Sequence, residues 1–183
     1  MSRVCVFLAE GFEEIEGLTV VDLLRRAGVE TQMVSITEER MVTGSHGIQV
    51  QADVCLKDAD FGQTELLVLP GGMPGTKHLG ACQKLTELLT QFYKDQKKVA
   101  AICAAPSVLG DLGILKGKKA ACYPGFEERL AGAEVVYDKV AADGNVTTSR
   151  GMGTAIAFSL SLVEQLVSRE KALELKKGII YGH

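Results

Sequence analysis

Short apolar runs that alternate with helical patterns along the whole chain are the strongest constraint on the fold. The runs are Val4–Ala9, Thr31–Ile36, Glu65–Leu69, Val99–Ile102, Lys119–Tyr123 and Val146–Ser149, each ending near glycine, proline or small residues. Val4–Ala9, Glu65–Leu69 and Val99–Ile102 are almost continuously apolar, as expected of strands covered on both faces. Between the runs, Glu13–Ala27 places Ile15, Leu18, Val21 and Leu24 at helical spacing and stops at Gly28, a plausible cap. Lys84–Lys94 repeats this spacing, Thr154–Val167 is another long helical segment, and Glu170–Lys177 predicts a further short helix. Met41–Cys55 alternates weakly around Gly44 and Gly47, which suits an antiparallel hairpin or an edge. Such alternation predicts an open α/β sheet, mostly parallel, between two layers of helices. Ligands of these sheets bind beyond the carboxyl ends of the strands, so the strand exits are the places to search.

With 183 residues and no internal repeat or linker, residues 1–183 are expected to form a single domain. Apolar residues make up 46% and charged residues 23%, which excludes a disordered chain and a disulfide miniprotein. The formal charge of −3, without a long like-charge run, argues against a general nucleic-acid-binding surface. No uncharged stretch reaches the ~18 apolar residues that span a bilayer, so no membrane association is expected. Glu10 ends the N-terminal apolar run too early for a signal peptide. The five cysteines show neither a CxxC pair nor zinc spacing, which points to free thiols and a cytoplasmic location. The three histidines lie far apart and no carboxylate cluster has ligand spacing, so neither a metal nor a cofactor is expected.

Three strand exits carry unusual chemistry. After the first, Glu13, Glu14 and Glu16 crowd the start of a helix. Compensation of the helix dipole accounts for Glu13 and Glu14. Glu16 lies further in, between Ile15 and Gly17, where a carboxyl could face a pocket with its pKa raised by desolvation or could simply be another acid of the helix start. The second exit, Leu69-Pro70-Gly71-Gly72, permits positive φ and close approach of the backbone, as an anion site or as an ordinary tight turn. It is not a Walker loop, because the glycine and lysine intervals do not match. The third exit, Ala101-Ile102-Cys103-Ala104-Ala105-Pro106, ends a strand at a cysteine with small residues two before and two after it. That is the crowding pattern of a nucleophile elbow, here with a thiol beside a helix start that favours thiolate. A buried structural cysteine is the alternative. Cys5, Cys55, Cys82 and Cys122 lack this combination and read as structural.

A further segment, Ser149-Arg150-Gly151-Met152-Gly153, begins like a dinucleotide fingerprint, but Ile156 stands where the third glycine belongs. Arg150 is a candidate anion clamp for a substrate, or an ion-pair partner.

Together these segments resemble the ThiJ/PfpI superfamily, in its Parkinson-disease-linked "DJ-one" branch and that branch's bacterial relatives. The resemblance spans nearly the whole chain and rests on AEGFEEIE, DLLRRAG, LPGG, AAICAAP, TSRGMGT and the REKA helix in that order. It implies a three-layer flavodoxin-like α/β sandwich, akin to class I glutamine amidotransferases, and usually a homodimer, for which Arg25 and Arg26 are interface candidates. It places the family's reactive cysteine on Cys103, its partner acid on Glu16 and its anion-stabilising backbone N–H groups on Gly72 and Ala104. The chain departs from the pattern at Tyr123, where many relatives have histidine, at His46, where they have another basic residue, and at Met152, where they have proline. His46, Tyr123 and Arg150 are therefore possible pocket residues. Ala104 replaces the histidine that follows the cysteine in the superfamily's proteases, and the His-x-Glu of its amidotransferases is absent.

The function so implied is cofactor-free, cysteine-dependent detoxification or repair of reactive carbonyls, as a glutathione-independent glyoxalase or a deglycase of protein or nucleotide amines. The alternative is a redox-responsive stress protein or chaperone in which a protonated Glu16 stabilises oxidised Cys103.

Overall fold

In the central strands, alternate residues point to opposite faces and both faces are apolar. The computed structural model describes residues 3–182; His183, for which the sequence suggests no role, lies outside them. Strand β1 (Arg3–Leu8) leads into α1 (Glu14–Arg26), β2 (Glu30–Ser35), a hairpin of β3 (Met41–Thr43) and β4 (Gln49–Gln51), β5 (Val54–Cys55) and β6 (Thr64–Leu69). Helices α2 (Gly75–Ala81) and α3 (Gln83–Lys94) precede β7 (Lys98–Ile102) and α4 (Pro106–Asp111). The chain closes with β8 (Lys119–Ala120), β9 (Glu134–Val135), β10 (Val140–Asp143), β11 (Val146–Ser149), α5 (Ala155–Leu166) and α6 (Arg169–Gly178).

Seven strands form the main sheet in the order β10-β11-β7-β6-β1-β2-β5, and only the β10–β11 pair is antiparallel. Omitting the edges, the order β2-β1-β6-β7-β11 is the flavodoxin-like one, and the chain reverses direction across the sheet between β1 and β6. Val4, Val6 and Leu8 bury one face of β1 with Val20, Leu24, Phe158 and Leu162 of α1 and α5. Cys5 and Phe7 bury the other face with Leu79, Leu85, Leu89 and Val108 of α2, α3 and α4. The two apolar layers explain why these strands show no alternation of apolar and polar residues.

The expected hairpin forms between β3 and β4, and the same region supplies the parallel edge strand β5. The expected strand Lys119–Tyr123 is shortened to Lys119–Ala120, which pairs with β9 outside the main sheet. Beyond it the Ala121 N–H donates to Thr148 Oγ1 and the Tyr123 N–H to the Cys103 carbonyl. The segment thus crosses the strand ends instead of extending the sheet. Strand β10 is weakly apolar, and a Gly144-Asn145 turn folds it back onto β11. No helix among the described residues is long and apolar enough to cross a membrane.

Candidate active site

The exits of β1, β6 and β7 converge beside the point where the strand order reverses. At the end of β7, Cys103 adopts φ = 67°, a left-handed conformation that costs a non-glycine residue roughly 1–2 kcal/mol. Hydrogen bonds on both sides hold it there: the Cys103 N–H donates to the Ser149 carbonyl (3.0 Å), and the Cys103 carbonyl accepts from the Tyr123 N–H (2.8 Å). Ala101 and Ala105 are fully buried, so larger side chains would not fit the turn. Pro106 opens α4, where a missing N–H is no loss. The elbow expected from the small flanks is therefore present.

Glu16 approaches from α1 and is buried. Its own N–H donates to Glu13 Oε2 (2.7 Å), the side-chain cap of that helix. Its carboxylate accepts the Gly71 N–H (2.8 Å) and lies against the Cys103 thiol. A Cβ on Gly71 would stand 2.6 Å from both Cys103 Cβ and Glu16 Oε2, so only glycine lets the three meet. Gly72 has φ = 90°, and its N–H, like that of Ala104, is directed at the Cys103 sulfur.

Burial pushes Glu16 up to about 7, against the hydrogen bonds from Cys103 and Gly71, while the charge of Glu13 pushes the same way as burial. Burial also pushes Cys103 up to about 12, and the Glu16 carboxylate adds to the rise. The N–H groups of Gly72 and Ala104 oppose this shift without cancelling it. The thiolate expected from the helix start is thus outweighed: α4 is six residues long, and a buried carboxylate touches the sulfur. Glu16 and Cys103 titrate as a pair. Above about pH 7 they hold one proton between them, which stays on the thiol and is donated to the Glu16 carboxylate.

The other candidates divide. Tyr123 and Arg150 line a shallow depression of about 260 Å³ with Gly151 and Met152, beside the elbow. His46 instead reaches Glu14: its ring Nδ1 lies 3.0 Å from Glu14 Oε2, and its N–H donates to Glu14 Oε1 (2.7 Å). Burial would raise Glu14, but hydrogen bonds from the His46 ring and from the N–H groups of His46 and Ile48 hold it down at about 2. Glu14 is thus more than a dipole partner, because it ties the β3–β4 hairpin to α1. Glu13, Glu14 and His46 bring possible metal-ligand atoms within 4.8 Å of one another, a grouping their separation in sequence conceals. A larger groove of about 610 Å³, lined by Ile15, Leu18, Arg26, Ile48 and Ile156, follows the outer face of α1, away from Cys103.

A flavodoxin-like sheet that presents a strained cysteine against a buried glutamate defines the class of protein. The chain belongs to the DJ-1/PfpI family, which matches residues 2–165. It is 40% identical to protein DJ-1 homolog B of Arabidopsis thaliana over 97% of its own length, and it covers 41% of that protein. A protein of Pyrococcus abyssi named a deglycase is 30% identical over 90% of this chain and 99% of its own. Among solved structures, oxidized Toxoplasma gondii DJ-1 superposes with a TM-score of 0.96 at 33% identity, covering 100% of both chains. The chain spans less than half the length of the two Arabidopsis relatives, 41% and 46%.

Proposed function

We propose that the chain is a cofactor-free enzyme that converts small reactive carbonyls through Cys103. The observation that carries this reading is the buried Glu16 carboxyl, poised near neutrality and touching the Cys103 thiol. Glu16 takes the thiol proton as the sulfur bonds to the aldehyde carbon of a 2-oxoaldehyde. The N–H groups of Gly72 and Ala104 hold the oxyanion that develops, which then takes a proton to give a hemithioacetal. Glu16 next moves a proton from the first carbon to the second, leaving a 2-hydroxyacyl thioester. Water cleaves the thioester, releasing the hydroxy acid and restoring the thiol. The same attack opens early carbonyl adducts of amines, the deglycase variant that the name of the Pyrococcus relative suggests.

The test follows methylglyoxal to lactate in chelated buffer without glutathione. Wild type is expected to turn over many times, and Cys103→Ala and Glu16→Gln to lose at least about a hundredfold, the usual scale of a missing acid–base group or nucleophile. Lactate production by wild type no faster than by Cys103→Ala removes the direct glyoxalase reading. A second reading, redox sensing, is favoured by the same contact: a protonated Glu16 can donate a hydrogen bond to an oxidised Cys103 sulfur. Its mark is stoichiometric gain of two oxygens at Cys103 under mild peroxide, without turnover of carbonyls.

We further propose a homodimer that closes over the apolar groove along α1. Of the two arginines expected at the interface, Arg26 lines the groove and pairs with Asp22, whereas Arg25, also exposed, reaches along the surface to the Thr31 carbonyl and Asp53.

A further inference from the structure

Arg150 stands at the strand ends beside the Cys103 elbow, and no acid among the described residues pairs with it. It follows Ser149, the residue that pairs with Ile102 across β11 and β7, and so stands next to Cys103 at the ends of the strands. The Ser149 carbonyl takes the Cys103 N–H, and the Tyr123 N–H is given to the Cys103 carbonyl. Both walls of the depression that Arg150 lines, the Tyr123 wall and the Arg150-Gly151-Met152 wall, are thus anchored on the backbone of Cys103. The guanidinium lies over the Tyr137 ring at 5.5 Å. Stacking occupies its face and leaves its edge donors for other partners. The buried Nε has no hydrogen-bond partner, and Arg150 takes part in none of the ion pairs among the described residues. Glu127, an acid of the adjoining turn, is engaged with the Gly125 N–H (2.7 Å). The charge of Arg150, which no acid among the described residues pairs with, is open to an anionic oxygen entering the depression that Arg150 lines.

We infer that Arg150 forms an anion subsite, which holds a carboxylate or phosphate of the molecule whose electrophilic carbon meets Cys103. The inference deepens the carbonyl-enzyme reading by naming the substrate class: short carbonyl compounds that carry a negative charge a few atoms from the aldehyde. The anion subsite itself can be tested without turnover.

Cys103 is alkylated in parallel by iodoacetate and by neutral iodoacetamide, and the modified peptide is followed by mass spectrometry with Cys103→Ala as the blank. In both reactions the sulfur bonds to the CH2 carbon, the C–I bond breaks, iodide leaves with the bonding pair and the thiol proton is lost. The thiolate fraction is common to both reagents, so the ratio of their rates reads the local preference for an anion. Arg150→Met is expected to lower that ratio about tenfold through loss of electrostatic attraction, and Arg150→Lys to restore most of it. In wild type at fixed ionic strength, inorganic phosphate or lactate is expected to slow iodoacetate saturably, and the more effective of the two identifies the group preferred. An unchanged ratio in Arg150→Met that melts like wild type overturns the inference. Should that variant unfold, the absence of saturable protection of wild type by both anions overturns it equally. The alkylation ratio decides the anion site whether or not wild type turns over methylglyoxal, so failure of either reading is visible separately.

Discussion

At Cys103 the backbone bears a left-handed φ of 67°, and the strain can be measured directly. Glycine adopts that conformation freely, so Cys103→Gly is expected to exceed Cys103→Ala in stability by about 1 kcal/mol, read from paired thermal melts. Equal melting of the two would show that the elbow is not strained. Glu16 leaves a second signature. Its carboxyl is raised from 4.5 to about 7, so between those pH values the unfolded chain loses a proton that the folded chain keeps. Stability therefore falls as pH rises through that window, by about 3 kcal/mol in all at 1.36 kcal/mol per pH unit. Glu16→Gln is expected to flatten this slope in denaturant titrations from pH 4.5 to 7.5, and an unchanged slope would assign it to another group. Glu14 has the opposite sign. Held down at about 2, it contributes stability that is complete above its ordinary value of 4.5 and is lost as pH falls toward 2.

At the scale of elements, the site is an agreement among three turns. The β7–α4 elbow raises the thiol, the β6–α2 turn brings Gly71 and Gly72 to it, and the first turn of α1 inserts Glu16 between them. The β3–β4 hairpin is fastened to α1 by the same economy of space. A Cβ on Gly44 would lie 2.3 Å from the Glu14 carboxyl carbon. Gly44→Ala is expected to cost about 1–3 kcal/mol by overpacking. It should also speed amide exchange at Ile48, whose N–H reaches Glu14, while the buried amides of β1 stay protected. Uniform acceleration of both would mean that the hairpin is not a separate unit.

For the whole molecule, the sheet order β2-β1-β6-β7-β11 puts the ends of β1, β6 and β7 side by side, which gathers Cys103, Glu16 and the N–H groups of Gly71 and Gly72 at one end of the sheet. The proposed dimer belongs to this scale. Wild type is expected to sediment at twice 19.6 kDa, and Ile15→Arg, which places a charge in the α1 groove, as a 19.6 kDa monomer. A single 19.6 kDa species for wild type would remove the dimer. Much of the design is local and legible in the sequence. The strand and helix periods, the small flanks of Cys103 and the paired glycines each lie within a few consecutive residues, where steric rules act on the chain itself. Other features were settled only in three dimensions. Glu16 and Cys103 are 87 residues apart, and neither the shared proton nor the suppressed thiolate exists until burial brings them together. His46 turned to Glu14 rather than to the thiol because a buried carboxylate and two backbone amides meet there. In sequence Arg150 is equally an ion-pair partner or an anion clamp, and only the packed structure shows that it joins none of the ion pairs among the described residues. Pairing, burial and charge neighbourhood depend on the strand order of the whole sheet, which no short window of residues contains.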